Sequence, residues 1–270
     1  MKQKGLTIGS LLTFVSFASW IGATSVELPL DPDLVKSGKA KVAVSVDFSR
    51  IYDRQLGSSG SGGRSVSSGE ITDSNQVHGK ILYALNQYLN LYAKAGLTNW
   101  SEKLLFNDGG KTEIKFDSAP SWGVGSTGGI KFASGKWQVF YDLEYLSAIN
   151  ADISNIVEAV RTITSRTGKA DLNQFHVALG LGHEFHTDYE WAERIFPYIG
   201  VKYSLLTVEH GTITWSGGGT DFSITDDVDE DNNWGLVAGL RVGNYSNTTL
   251  RLEGRLFDEL ALTLAVDYRF

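Results

Sequence analysis

Leu262-Thr-Leu-Ala-Val-Asp-Tyr-Arg-Phe270 alternates almost without a break up to the last residue of the sequence. Leu262, Leu264, Val266, Tyr268 and Phe270 share one face, opposite Thr263, Ala265, Asp267 and Arg269. Successive side chains of a strand point to opposite sides, so this pattern marks a strand with one apolar and one polar face. Lys41–Tyr52 reads the same way, with Val42, Val44, Val46 and Phe48 against Ala43, Ser45, Asp47 and Ser49. In the segment from Tyr88 to about Phe106, Leu89, Leu91, Ala93, Ala95 and Leu97 oppose Asn90, Tyr92, Lys94, Gly96 and Thr98.

Working outward, the alternation recurs from Trp137, around Phe175 and around Ile195. Weaker versions lie at about Val77–Leu85, Ser121–Ala133, Trp234–Tyr245 and Thr248–Phe257, for about ten strands in all. The connections alternate in length. Short turns fall at Asn86–Gln87, Ser134–Lys136, Thr187–Glu190 and Ser246–Asn247. Long polar connections are expected at about Asp53–Gln76, Asn107–Asp117, Asn150–Asp171 and Gly211–Asn233, while Asp258–Glu259 is tight. Sorting of long loops to one end is the asymmetry of membrane barrels, whose outer loops are long and periplasmic turns short. Ile153, Ile156, Val157, Val160 and Ile163 stand at rough helical spacing, which predicts a short amphipathic helix over the barrel mouth.

Thirty glycines, four prolines, one methionine and 11% aromatics favour strands and tight turns over helices. The hydrophobic fraction of 42% is that of a soluble protein, but alternation dilutes the apolar residues of a membrane strand in the same way. A net charge of −7 gives no cationic surplus for nucleic acid, and none is expected as a partner. With no cysteine, disulfides, thiolate metal sites and cysteine nucleophiles are excluded. Lys2 and Lys4 precede an uncharged, mostly apolar run from Leu6 to Ile21, followed by small Gly22, Ala23 and Ser25. This is the layout of a cleaved secretory signal, with cleavage after Ala23 or Ser25. The expected organisation is a signal peptide over 1–23, an N-terminal periplasmic segment over 24–40, and a barrel over 41–270.

Alternation alone does not say which face is inside. The polar set carries Lys94, Lys131, Asp142, Glu184, Lys202, Arg241, Arg251, Glu253, Arg255, Asp267 and Arg269, too many charges for a soluble core. These residues are therefore placed in the lumen, with the apolar set facing lipid. A sheet in lipid must close, because nothing there satisfies an unpaired edge. The fold class is all-β: a closed antiparallel up-and-down transmembrane β-barrel of about ten strands. Tyr83, Tyr88, Trp137, Phe185, Trp191 and Tyr245 near the short turns, and Tyr52, Trp100, Trp122 and Trp234 near the long loops, suit the two membrane interfaces.

The terminal strand Leu262–Phe270 and the strand Tyr88–Gly96 resemble those of small bacterial outer-membrane β-barrel proteins, the porin-like and OmpA-like class. The resemblance implies an outer-membrane location in a Gram-negative envelope. It also implies that the barrel-assembly machinery recognises Phe270 and Tyr268, and that outer-membrane lipids and lipopolysaccharide surround the wall. The expected role is structural or that of a narrow small-solute porin. Surface binding through the long loops is the alternative, and a rim enzyme is a lesser one.

Ten strands enclose a narrow lumen. Arg251, Glu253 and Arg255 alternate along one inner face beside Asp267 and Arg269, and are expected to form an ion-pair network that plugs or constricts it. The inward glycines, Gly96, Gly123, Gly125, Gly129, Gly180, Gly182, Gly200 and Gly239, leave room inside or permit close strand approach. No catalytic set, cofactor or metal is assigned. Asp227, Asp229 and Asp231 have the spacing of half a calcium loop but lack its glycine and closing Glu, so they are weak metal candidates. His183 and His186 sit near a short turn with Glu184 and Asp188, and His210 with Glu209 is expected at the outer rim, within reach of Asp226 or Asp227. Ser59–Ser68 reads as a flexible linker.

Overall fold

The computed structural model describes residues 26–38, 41–58, 65–132, 135–158, 163–217, 220–225, 227–244 and 247–270. The expected signal peptide, most of the Ser59–Ser68 linker, Asp226 and Tyr245 lie outside the described residues. A one-turn helix α1 (Pro32–Lys36) starts from the Asp31 side chain, which accepts the Asp33 N–H at 2.9 Å.

After it come β1 (Val42–Leu56), β2 (Val66–Asn86), β3 (Leu89–Phe106), β4 (Lys111–Phe132) and β5 (Trp137–Glu158). The chain continues through β6 (Ile163–Thr167), β7 (Lys169–His183), β8 (Phe185–His186), β9 (Arg194–His210), β10 (Ile213–Gly217), β11 (Thr220–Ile224) and β12 (Val228–Asp229). It ends with β13 (Trp234–Gly243), β14 (Thr248–Leu256) and β15 (Glu259–Arg269). Ten of these, β1, β2, β3, β4, β5, β7, β9, β13, β14 and β15, form the wall, each antiparallel to the next. The wall closes where β15 meets β1, from Ala43↔Arg269 to Arg54↔Glu259. At that seam the Phe270 N–H donates to the Val42 carbonyl at 2.9 Å.

Along β3 the outward residues are Leu89, Leu91, Ala93, Ala95 and Leu97, then Asn99, Ser101, Lys103 and Leu105. The inward residues change the other way: Asn90, Tyr92, Lys94 and Thr98 are followed by buried Trp100, Glu102, Leu104 and Phe106. The same inversion occurs on β4, where Trp122, Val124 and Ile130 are exposed while Ile114 and Phe116 are buried. The barrel thus has two storeys. One has an apolar exterior and a charged interior. The other has a polar exterior and an apolar interior. Strands rise about 3.3 Å per residue and lean about 40°, so Leu89–Leu97 covers roughly 20 Å of height, near the ~25 Å apolar band of outer-membrane barrels.

The second storey replaces most of the expected long loops. Lys111-Thr-Glu-Ile-Lys-Phe116 continues β4, and Asn107–Gly110 is a tight turn with Gly109 at φ 80°. Among the described residues no helix occurs over 150–171: Ile153, Ile156 and Val157 belong to β5 and Ile163 to β6, and Val160 lies outside the described residues. Their β-branched side chains fit a pleated surface, and Ile156 faces inward while Val157 faces outward. Trp100 is likewise not an interfacial residue. It lies above the inversion and points inward, stacked on Phe116 at 4.7 Å between ring centroids. The remaining rim aromatics Tyr52, Trp122 and Trp234 are exposed at one edge of the apolar band, and Tyr83, Tyr88, Trp137, Phe185, Tyr268 and Phe270 at the other.

The two storeys give opposite expectations for one substitution. Leu179→Arg, in the apolar band, should destabilise the lipid-reconstituted barrel by about 2–4 kcal/mol. Leu105→Arg, outward-facing but above the inversion, should stay within about 0.5 kcal/mol. Equal effects in reversible denaturant unfolding would place the boundary elsewhere.

Candidate functional site

The interior of the first storey is where the charged set meets. Lys94, Lys131, Asp142, Lys202, Arg241, Arg251, Glu253, Arg255, Asp267 and Arg269 lie on inward positions of the wall, with Glu184 buried at the end of β7; Lys131, Arg241 and Asp267 are half-buried and the rest buried. The partners differ from those expected along β14. Arg251 reaches Glu27 at 3.1 Å and Asp47 at 3.7 Å, Arg255 reaches Glu259 at 3.1 Å, and Asp267 accepts from Thr249 at 2.9 Å.

Glu27 belongs to the segment expected below the barrel. Instead Val26–Val35 enters the wall from the short-turn end and is buried along most of its length. Its backbone is held by wall side chains: Val26 N–H donates to Glu253 at 2.9 Å and Glu27 N–H to Asp142 at 2.8 Å. Thr127 donates to the Glu27 carbonyl at 2.8 Å, Arg241 to the Pro29 carbonyl at 3.1 Å, and Arg251 to the Val26 carbonyl. The segment has no strand partner among the described residues, so these side chains satisfy groups that would otherwise be orphaned. Its apolar residues pack as well. Val26 and Leu28 lie with Phe140, Ala178, Phe196, Tyr198 and Val237, and Leu30 and Val35 with Ala43, Leu82, Ala84 and Tyr92.

Three charged layers stack along the axis. The lowest joins Lys131 to Asp31 at 2.9 Å, Asp33 at 3.1 Å and Glu184 at 3.5 Å, with Arg194 also on Asp31. The middle joins Lys80 to Asp47 at 2.8 Å and to Glu27, Lys94 to Glu144, and His176 to Asp142 at 2.9 Å. The upper joins Arg54 to Glu230 at 2.7 Å and Glu259 at 3.3 Å, and Lys202 to Asp258 at 2.7 Å and to Glu259. Glu230 comes from the connection after β12, and burial raises its carboxyl above the ordinary carboxylate value against the opposing pull of Arg54.

The glycine room is filled. A Cβ at Gly125 would collide with the Tyr92 ring, and one at Gly239 with the Tyr198 ring. Both hydroxyls end on carboxylates, Tyr92 on Asp142 at 2.9 Å and Tyr198 on Glu253 at 2.7 Å. Small cavities of about 30 and 20 Å³ lie beside the inserted segment. Each is the size of a single water.

Above the upper layer lies the apolar core of the second storey, including Leu56, Ile71, Trp100, Phe106, Phe116, Leu206, Val208 and Trp215. The three-stranded sheet β6–β10–β11 adds Ile213, Trp215 and Ile224 to it. His210 is inside this core and not on the rim; it is fully buried and bonds Glu102 at 2.7 Å. Asp227 and Asp229 are exposed on an extended stretch, Asp229 accepts from Thr207 at 2.7 Å, and Glu230 turns inward. An extended backbone spreads alternate aspartates along a line, so they do not curl round an ion as a calcium loop does. No group of three or more His, Cys, Asp or Glu suited to a metal occurs among the described residues. His186 is exposed and pairs with Glu184 at 3.1 Å, and His183 stands edge-on to Trp137 at 4.6 Å.

No family model and no curated protein matches the chain. Among solved structures it is similar to the β-domain of the Bordetella autotransporter BrkA, at 12% identity over 86% of this chain and 100% of that one, with TM-score 0.47. It is similar to the translocator domain of the autotransporter NalP from Neisseria meningitidis, at 13% identity over 88% and 93%, TM-score 0.44. The outer membrane protein OprG of Pseudomonas aeruginosa gives 12% over 86% and 96%, TM-score 0.43. These neighbours are outer-membrane proteins, and the wall of this chain is a closed antiparallel β-barrel of ten strands.

The upper layer can be tested alone. Arg54→Met strands Glu230 without its cation, while Glu259 keeps Lys202 and Arg255, and should cost about 3–5 kcal/mol. The double variant Arg54→Met/Glu230→Met should recover part of that loss; a single-variant cost below about 1 kcal/mol in equilibrium unfolding would show that the layer is not dry.

Proposed function

We propose that the protein is an integral outer-membrane barrel with a sealed lumen, whose role is structural, and that it performs no catalysis and conducts no solute in its resting state. One observation carries this reading: the lumen is obstructed twice in series, by the inserted N-terminal segment and by the apolar core of the second storey. The roughly 20 Å apolar band between two aromatic edges supports the membrane setting. Lipid and lipopolysaccharide are the partners proposed for that band, and the assembly machinery for the exposed Phe270 and Tyr268 at the seam. The narrow-porin alternative requires both obstructions to move.

Surface binding is the second reading, and the ordered second storey favours it. Its outer face carries exposed ion pairs, Lys103 with Glu70 at 3.4 Å and Lys115 with Glu113 at 3.2 Å, as a solvated platform does.

The full chain, exported in cells and purified from the outer-membrane fraction, should migrate differently on gels before and after heating and give no steady conductance in planar bilayers. Reproducible ohmic steps would overturn the sealed-lumen reading. Recovery as a soluble periplasmic protein without detergent would overturn the membrane one.

A further inference from the structure

Glu253 is 1% exposed and accepts from two donors, Val26 N–H at 2.9 Å and Tyr198 Oη at 2.7 Å. Every other acidic group of the middle layer has a basic partner within 4 Å: Asp47 and Glu27 have Lys80 and Arg251, Glu144 has Lys94, and Asp142 has His176. Glu253 has none among the described residues. The neighbouring Arg251 is engaged by the Val26 carbonyl, Glu27 and Asp47. A buried carboxylate without a counter-charge is costly, and the middle layer, which pairs its other acidic groups, leaves this one open at the nitrogen of Val26.

That nitrogen stands at a sequence boundary. Ala23-Thr24-Ser25 puts small residues one and three positions before Val26, the arrangement a signal peptidase accepts. Cleavage after Ala23 would put the bulky Ile21 at the third position instead.

We propose that export cleaves the Ser25–Val26 bond and that the α-ammonium so formed is the missing counter-ion of Glu253, making the lumen a binding site for the chain's own amino terminus. Water supplies hydroxyl to the Ser25 carbonyl and hydrogen to the Val26 nitrogen, which gains a second proton from solvent and becomes cationic. The N–H donor already placed 2.9 Å from Oε1 of Glu253 then becomes one arm of a charge-assisted pair. Arg251 and Thr127 hold the next carbonyls, those of Val26 and Glu27, and Val26 itself fills the apolar pocket of Phe140, Phe196 and Val237. The inference rests on reading the chain as an exported barrel; its tests concern the terminus and not conduction, so either can fail alone.

Protein purified from the outer membrane should give an intact mass and first sequencing cycle that start at Val26; any other first residue overturns the proposal. An amine-selective acylating reagent at neutral pH should label the Val26 amine of the folded barrel at least about tenfold more slowly than that of the urea-unfolded chain, the factor corresponding to one unit of proton affinity. Equal rates overturn it. Glu253→Gln should restore faster labelling in the folded barrel, whereas slow labelling unchanged in that variant shows that burial alone protects the amine and overturns the ion pair. Should Glu253→Gln fail to insert, the wild-type comparison and the mass still decide.

Discussion

The seam between β1 and β15 is the contact on which the rest depends. Once Ala43↔Arg269 through Arg54↔Glu259 are paired, no wall strand has a free edge, and an apolar exterior becomes tolerable because no backbone group on it needs water. Closure also creates an inside. With period two fixed by the pleat, every apolar residue sent outward sends its neighbour inward. Lys80, Lys94, Arg251 and Lys202 are in the lumen because Ile81, Ala95, Leu252 and Val201 are on the exterior.

What the wall sends inward must then be neutralised in a space without bulk water. The charged layers follow from this. Coulomb attraction is strong there, and so is the penalty for a charge left over. Two donors come from the wall's own aromatics, since Tyr92 and Tyr198 lie over glycines of the adjacent strands and carry hydroxyls to Asp142 and Glu253. The inserted segment adds amide donors of its own, Val26 N–H to Glu253 and Glu27 N–H to Asp142. It is simultaneously a filler of volume and a member of the network through Glu27 and Asp31.

The apolar-banded strands were legible in the sequence because their alternation has the polarity of a membrane wall, and Leu262–Phe270 and Leu89–Leu97 show it plainly. The second storey has the same period with the sign reversed. Lys111-Thr-Glu-Ile-Lys-Phe116 alternates as strictly as any membrane strand, but its charged residues are on the outer face, and a search for apolar-outside strands reads it as a loop. The information was present; the assumption about which face is apolar hid it. Trp100 and His210 were misplaced for the same reason, both lying above the inversion. The inserted segment is a different case. Val26, Leu28 and Leu30 alternate, but their partners are remote: Glu253 is 227 residues away and Asp142 is 115 from Glu27. Nothing local announces such contacts, and a short segment with Pro29 and Pro32 reads as a linker.

The order of the two obstructions bears on what could ever open this barrel. Among the described residues the inserted segment is tied to the wall by side chains and has no strand pairing, so it can leave without breaking the sheet. The apolar core cannot, because Trp100, Phe116, Leu206 and Val208 belong to wall strands β3, β4 and β9. Removing the segment would hydrate the lower and middle layers and leave a blind well, closed at Arg54, Lys202 and the core above them. A passage would require the second storey to part its own strands, which are joined by ladders such as β4 with β5 from Lys115↔Asn155 to Thr112↔Glu158. Loss of the segment and opening of a pore are therefore separate events in this architecture, with the first reversible by rebinding and the second equivalent to unfolding the outer half.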